Sequence, residues 1–183
     1  MRLFTALDPT PEVHEELAKL LRRLQPTARL RWIKPENLHL TLKFIGEWRE
    51  DRLEDLKQAL ASVPAPPGFD VKFSGVGFFP NARSPRVFWA GIEPSPGLTQ
   101  LAAGMDRALQ PLGIPPEKRA YSPHLTLARI QERTPLGDLH REVESLPSRE
   151  FGVFCPECFY LYQSQPQPGG SIYTRIADFP WRR

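Results

Sequence analysis

Two histidines stand in the same setting in this chain: His39-Leu40-Thr41-Leu42 and, 85 residues later, His124-Leu125-Thr126-Leu127. In an extended strand, side chains i and i+2 share a face. Each copy therefore puts an imidazole and a hydroxyl on one face and two leucines on the other. The leucine face reads as core. Histidine is the side chain whose ordinary pKa lies in the neutral range. Two of them at one pocket can divide a proton transfer. The neutral ring accepts a proton from a nucleophile, and the charged ring gives one to a leaving group. Phosphoryl transfer suits this division, because attacking and leaving oxygens lie roughly in line on opposite sides of phosphorus. Thr41 and Thr126 then offer hydroxyl donors to the non-bridging oxygens. The chemistry requires no metal and no cofactor. Strand parity alone does not say which histidine donates and which accepts.

The elements that must position these groups repeat as well. Arg2-Leu3-Phe4-Thr5-Ala6 resembles Arg86-Val87-Phe88-Trp89-Ala90, and Pro9-Thr10-Pro11 matches Pro94-Ser95-Pro96. Leu53, Leu56, Leu60 and Val63 have counterparts in Leu136, Leu139, Val143 and Leu146, and Phe69-Asp70-Val71 meets Phe151-Gly152-Val153. Two copies at so long a period indicate a duplication with two pseudo-equivalent lobes rather than a solenoid. The pattern predicts strands over 2–7, 30–33, 38–45, 69–79, 86–92 and 124–130, with a short strand near Ala120. Helices are expected over about 11–25, with Thr10 as N-cap and Pro11 at its first position, and over 51–63, 97–112 and 135–146. A final hairpin, 151–163 with 171–179, is expected to turn through Gln165–Gly170. The expected class is α+β: one domain over 1–183 with two lobes, about 1–80 and 86–179, around a central cleft and with possible strand exchange between them.

Composition sets bounds. The 183 residues carry a formal charge of +3, and 40% of them are hydrophobic. That balance suits an anionic ligand but is not the footprint of a dedicated duplex binder. No apolar run is long enough to span a bilayer, so a cytoplasmic protein, a monomer without a membrane partner, is expected. Walker, dinucleotide-binding and His-Glu-x-x-His signatures are missing. Cys155 and Cys158 form a lone Cys-Pro-Glu-Cys without further zinc ligands near in sequence, and read as structural. His14 and His140 belong to no repeated motif and read as surface or boundary residues.

These residues resemble a known family, the RNA 2′,3′-cyclic phosphodiesterases, also called 2′-5′ RNA ligases, of the 2H phosphoesterase superfamily. The superfamily is marked by two His-x-Thr/Ser-x motifs. The flanks Arg2–Leu7, Trp32–Leu38, Lys43–Gly46, Pro123 and Ala128-Arg129 fit as well. The resemblance implies hydrolysis of RNA 2′,3′-cyclic phosphate ends to 2′-phosphomonoesters without a metal, with His39 as proton donor and His124 as proton acceptor. Reversible 2′-5′ ligation, hydrolysis of small cyclic phosphates, and a non-catalytic RNA-end-binding module are the alternatives.

Further candidates follow from the same positions. Arg129 and Phe44 each lie five residues after a motif histidine, on the opposite face of an unbroken strand. Arg129 is a substrate contact only if the strand bulges or ends there, and Phe44 reads as core. Tyr121, Trp32 and Trp89 are candidate base-stacking residues, although aromatic residues of this kind more often serve core packing.

Overall fold

The computed structural model describes residues 1–181. In chain order the elements are β1 (Arg2–Leu7), α1 (Pro11–Leu24), β2 (Arg31–Trp32), β3 (Leu40–Glu47), α2 (Leu53–Ala61), β4 (Val71–Phe79) and β5 (Val87–Ile92). Then follow α3 (Pro96–Leu109), β6 (His124–Arg129), α4 (Gly137–Glu144), β7 (Glu150–Phe154), β8 (Cys158–Gln167) and β9 (Gly170–Pro180). Short 3₁₀ turns extend α1 and α3 and precede β3 and α2.

Two antiparallel sheets result. The first runs β3-β1-β8-β9 and the second β2-β6-β5-β4-β7. Each motif strand pairs with the strand that opens its half of the chain, β3 with β1 and β6 with β5. Of the remaining strands, β7 stays in the sheet of its own half and the other four cross over. β2 and β4 come from the first half yet join the second sheet, while β8 and β9 come from the second half yet join the first. The fold is α+β and bilobal. Among the described residues no helix is long and apolar enough to cross a membrane.

Local sequence explains most of the elements. In α1, Pro11 opens the helix and Val13, Leu17, Leu20, Leu21 and Leu24 are all buried, the face that the spacing predicts. Thr10 holds the N-cap position, but its side chain makes no capping bond. In α3 the capping is explicit, since the Ser95 hydroxyl accepts from the Leu98 amide at 3.3 Å. Both pairs of motif leucines, Leu40 with Leu42 and Leu125 with Leu127, are buried in the core.

Three expectations about the elements fail. Residues 151–163 do not form one strand: β7 ends at Phe154, Cys155-Pro156-Glu157 intervenes, and β8 begins at Cys158 in the other sheet. Pro156 has no N–H to continue a ladder, so the chain changes sheets there. No strand forms near Ala120 either. Residues 113–123 are irregular, and Pro115, Pro116 and Pro123 withhold three of the donors a strand would need. The hairpin turn is also tighter than expected, because pairing continues to Gln167 opposite Gly170.

Candidate functional site

The two motif histidines are held in the same way. The Nδ1 of His39 lies 2.6 Å from the Asn37 carbonyl oxygen, and the Nδ1 of His124 lies 2.8 Å from that of Ser122. A carbonyl oxygen can only accept, so each Nδ1 carries a hydrogen and donates it. The neutral rings therefore present a bare Nε2. In the first motif the Thr41 hydroxyl stands 3.1 Å from that Nε2 and donates to it. The partner carbonyl lies two residues back in both copies, so the duplication extends to the tautomer.

The surroundings of the rings differ. His39 sits among Phe4, with ring centroids 4.8 Å apart, and the edge of Tyr173 at 5.1 Å. Burial among these rings pushes the His39 pKa below the ordinary histidine value, against the opposing pull of the Asn37 carbonyl and the Asp8 carboxylate. His124 meets the Phe79 ring at 4.9 Å in an edge contact, and Phe79 in turn packs on Trp89 at 5.0 Å. Trp89 can lie across β4 because Gly77 stands opposite it; a Cβ there would fall 2.3 Å from the indole.

Both motif strands carry a bulge at the same place. Thr5 faces Lys43 and the next residue, Ala6, faces Thr41, so Leu42 is the extra residue of β3. Phe88 faces Ala128 and Trp89 faces Thr126, so Leu127 is the extra residue of β6. A bulge puts two successive residues on one side and reverses the alternation beyond it. Leu42 and Lys43 are accordingly both buried, as are Leu127 and Ala128. Beyond the bulges Phe44 and Arg129 return to the face of the histidines and threonines. Phe44 is 59% exposed, which corrects its expected place in the core. Arg129 is exposed on the motif face, the condition that its candidacy required.

β3 and β6 pack against each other across the boundary between the sheets, although they share no ladder. Tyr121, three residues before His124, donates its hydroxyl to the Thr41 carbonyl at 2.9 Å. It is a strut between the motifs rather than a stacking surface, and burial pushes its pKa well above the ordinary value. Trp32 is a packing residue too: its indole N–H bonds the Ala28 carbonyl and its ring meets Phe88 edge-on. Trp89 packs beneath Phe79.

Sequence reasoning missed the other wall of the site. A cavity of about 200 Å³ beside His39 is lined by Phe4, Asp8, His14, Glu36, Tyr162 and Tyr173, among others. The Tyr162 hydroxyl donates to Asp8 Oδ2 at 2.6 Å, and the Arg175 Nη2 donates to the same oxygen at 2.7 Å. Burial and the Asp8 carboxylate push the Tyr162 pKa up to about 12. The Arg175 guanidinium lies 3.9 Å over the Tyr160 ring. Tyr162 and Arg175 each lie more than 150 residues from Asp8 in sequence, so no local motif could announce the cluster. His14 is not a bystander: its Nε2 donates to the Pro35 carbonyl at 2.8 Å, tying α1 to the 3₁₀ turn that holds Asn37. His140 packs on Phe78. Cys155 and Cys158 are free thiols, and Cys158 donates to the Tyr160 hydroxyl.

Comparison with known proteins agrees with the repeat. The LigT-like phosphoesterase family matches this chain twice, over residues 7–89 and 92–173. The chain is 36% identical to the RNA 2′,3′-cyclic phosphodiesterase of Archaeoglobus fulgidus over 180 residues, covering 98% of this chain and 99% of that one. It is 34% identical to the enzyme of the same name from Thermus thermophilus over 192 residues, covering 100% and 91%. The crystal structure of a Thermus thermophilus protein superposes with a TM-score of 0.82 at 32% identity, covering 100% of this chain and 98% of that one. Escherichia coli LigT in complex with 3′-AMP gives 0.80 at 27% identity, with the same coverage.

Proposed function

Because the chain belongs to the LigT-like phosphoesterase family, we propose that it opens 2′,3′-cyclic phosphate ends of RNA to 2′-phosphomonoesters by two-histidine acid–base catalysis. His124 takes a proton from water as its oxygen bonds to phosphorus. The bond from phosphorus to the 3′ oxygen breaks, and His39 gives that oxygen a proton. Exchange with solvent resets the two rings. Thr41, Thr126 and Arg129 hold the non-bridging oxygens, where preorganised donors meet developing charge. Phe44, exposed on the same face, offers a surface on which a base can stack.

The observation that supports this reading above the others is the matched pair of imidazoles. Each has its Nδ1 proton fixed by a carbonyl two residues back, so each has Nε2 available for proton transfer. A module that only bound RNA ends would need no such pair. His39 must be charged to act as donor, whereas burial favours its neutral form in the free protein. The negative charge of the arriving phosphate favours the charged form. The Thr41 hydroxyl, which donates to Nε2 in the free protein, then becomes available to a phosphate oxygen.

The test is an RNA oligonucleotide ending in a 2′,3′-cyclic phosphate, incubated with the protein in EDTA. The product should gain one water and show the phosphorus resonance of a 2′-phosphomonoester. A 3′-phosphate product, or an intact ring, would overturn the reading. Adding an RNA with a 5′-hydroxyl, and separately small cyclic nucleotides, ranks ligation and small-molecule hydrolysis against it.

A further inference from the structure

The bulge in β3 buries a lysine. Lys43 is 3% exposed, whereas Ala128, at the equivalent position of the second motif, fills the same kind of place without a charge. A buried ammonium is costly unless oxygens surround it. The Lys43 Nζ lies 2.7 Å from Asp106 Oδ1, 2.9 Å from the Pro115 carbonyl oxygen and 3.2 Å from Glu117 Oε1. Packing at this position is met by alanine in one lobe, so the lysine in the other calls for a different reason.

Its partners supply one. Pro115 and Glu117 lie in the irregular segment 113–123, which leads from the end of α3 into the second motif. That segment carries Ser122, whose carbonyl fixes the His124 ring, and Tyr121, whose hydroxyl reaches the Thr41 carbonyl. Ile114 is buried in the core, and the Glu117 amide donates to Asp106 Oδ2 at 3.2 Å. β3 therefore grips the segment on both sides of its bulge: through the Thr41 carbonyl toward the far end and through the Lys43 ammonium toward the near end. An irregular segment has no ladder to hold its shape, so such anchors decide where its residues sit.

We propose that Lys43 is a positioning residue for the reaction: by anchoring residues 115–117 to β3 it sets where Ser122 and His124 stand relative to His39 and Thr41. This rests on the two-histidine reading above. Lys43 touches neither ring. It acts through the segment that orients one of them.

The double variant Lys43→Met/Asp106→Asn removes the charge without leaving a buried carboxylate unpaired. It should lower kcat by about 10- to 100-fold, the scale of an ångström-sized misplacement, with KM within about twofold. The His124 ring-proton NMR resonances should move while those of His140, outside the segment, stay in place. A folded double variant with wild-type kcat and an unmoved His124 resonance would overturn the proposal, whatever its melting temperature. If the double variant does not fold, Glu117→Gln decides. Glu117 is 54% exposed, and this change weakens one of the three contacts without burying anything new. It should lower kcat by roughly threefold or more and shift the same resonance, and an unmoved resonance counts against the proposal. The resonance is read without turnover. Should the wild-type protein fail to hydrolyse cyclic phosphates, the functional reading falls while the positioning claim is still decided.

Discussion

Binding of an anion at the site should charge His39. In the free protein burial holds its pKa below the ordinary value. Nδ1 already donates to the Asn37 carbonyl, so the added proton must enter at Nε2, where Thr41 Oγ1 now stands at 3.1 Å. A hydrogen bond from the charged ring to an anionic oxygen contributes about 1.5–3 kcal/mol. At about 1.4 kcal/mol per pKa unit, the complex should hold the His39 pKa roughly one to two units above its free value. The sign follows. Binding favours the protonated ring, so affinity is highest below the free pKa and falls as pH rises through the pKa of the complex. Between those two values, binding takes up a proton. Sulfate is the suitable probe, because its own charge does not change near neutrality. Calorimetric titrations in buffers of different ionisation enthalpy measure the proton count directly. A shift of one to two units gives a maximum uptake of roughly half to four-fifths of a proton, midway between the free and bound pKa values, and that maximum should disappear in His39→Asn. Sulfate binding without uptake, or undiminished uptake in His39→Asn, would refute the reasoning that burial and the anion compete for this ring.

Other outcomes follow from the same geometry. His39→Ala and His124→Ala should each lower turnover of RNA cyclic phosphate by about 10²–10⁴-fold. An activated aryl leaving group should rescue only His39→Ala, and rescue of His124→Ala instead would exchange the two roles. Thr41→Ala and Thr126→Ala should cost less than either histidine change, on the order of 10- to 1,000-fold in kcat, and a folded threonine variant as inactive as the histidine variants would demand a larger role for the hydroxyl. Phe44→Ala should raise KM by roughly 5- to 150-fold, the equivalent of about 1–3 kcal/mol of base stacking, with kcat little changed; an unchanged KM removes Phe44 from the substrate surface. Arg129→Met should weaken sulfate binding by about tenfold or more, and Arg129→Lys should restore only part of it.

The face that carries the histidines and threonines was legible in the sequence because strand parity is a local property. His39 with Thr41 and His124 with Thr126 declare it within three residues each, and the alternating leucines say where the core lies. The helical stripe of α1 is local in the same sense. The bulges are not. Leu42-Lys43 and Leu127-Ala128 share no residue type that marks an extra position; the bulge is set by how β1 and β5 pair with them. Parity in an unbroken strand therefore gave the wrong face for Phe44 and Arg129, from a single missed residue in each register. The break at Pro156 was visible as a proline. What it meant, a change of sheet, depended on which strand edges were open. The meeting of Asp8 with Tyr162 and Arg175 was out of reach for a plainer reason: the last two face each other in the terminal hairpin, but nothing in sequence ties that hairpin to Asp8.

A duplicated motif poses a problem that duplication cannot solve. Two identical motifs are symmetric, and the proposed hydrolysis is not: one ring must be charged when the other is neutral. The difference has to come from residues outside the motif. Here the first ring lies against Phe4 and Tyr173, close to the Asp8 carboxylate, where burial and a nearby negative charge oppose each other. The second has an exposed hydrogen bond to Ser122 and an edge contact with Phe79. Beyond the shared bulges the two strands part again, to an aromatic ring at Phe44 and a guanidinium at Arg129, and to a buried ammonium at Lys43 and a methyl at Ala128. Each of these pairs occupies one structural position with two chemistries. In the proposed reaction the motif gives both lobes the same ability to move a proton, and the lobes differ both in the surroundings of the rings and at the positions four and five residues beyond each histidine. Exchanging Phe44 and Arg129 should therefore leave the fold intact, because both positions are exposed, and should impair substrate binding more than the fold. An exchange variant with unchanged KM would mean that the asymmetry of the reaction is set elsewhere.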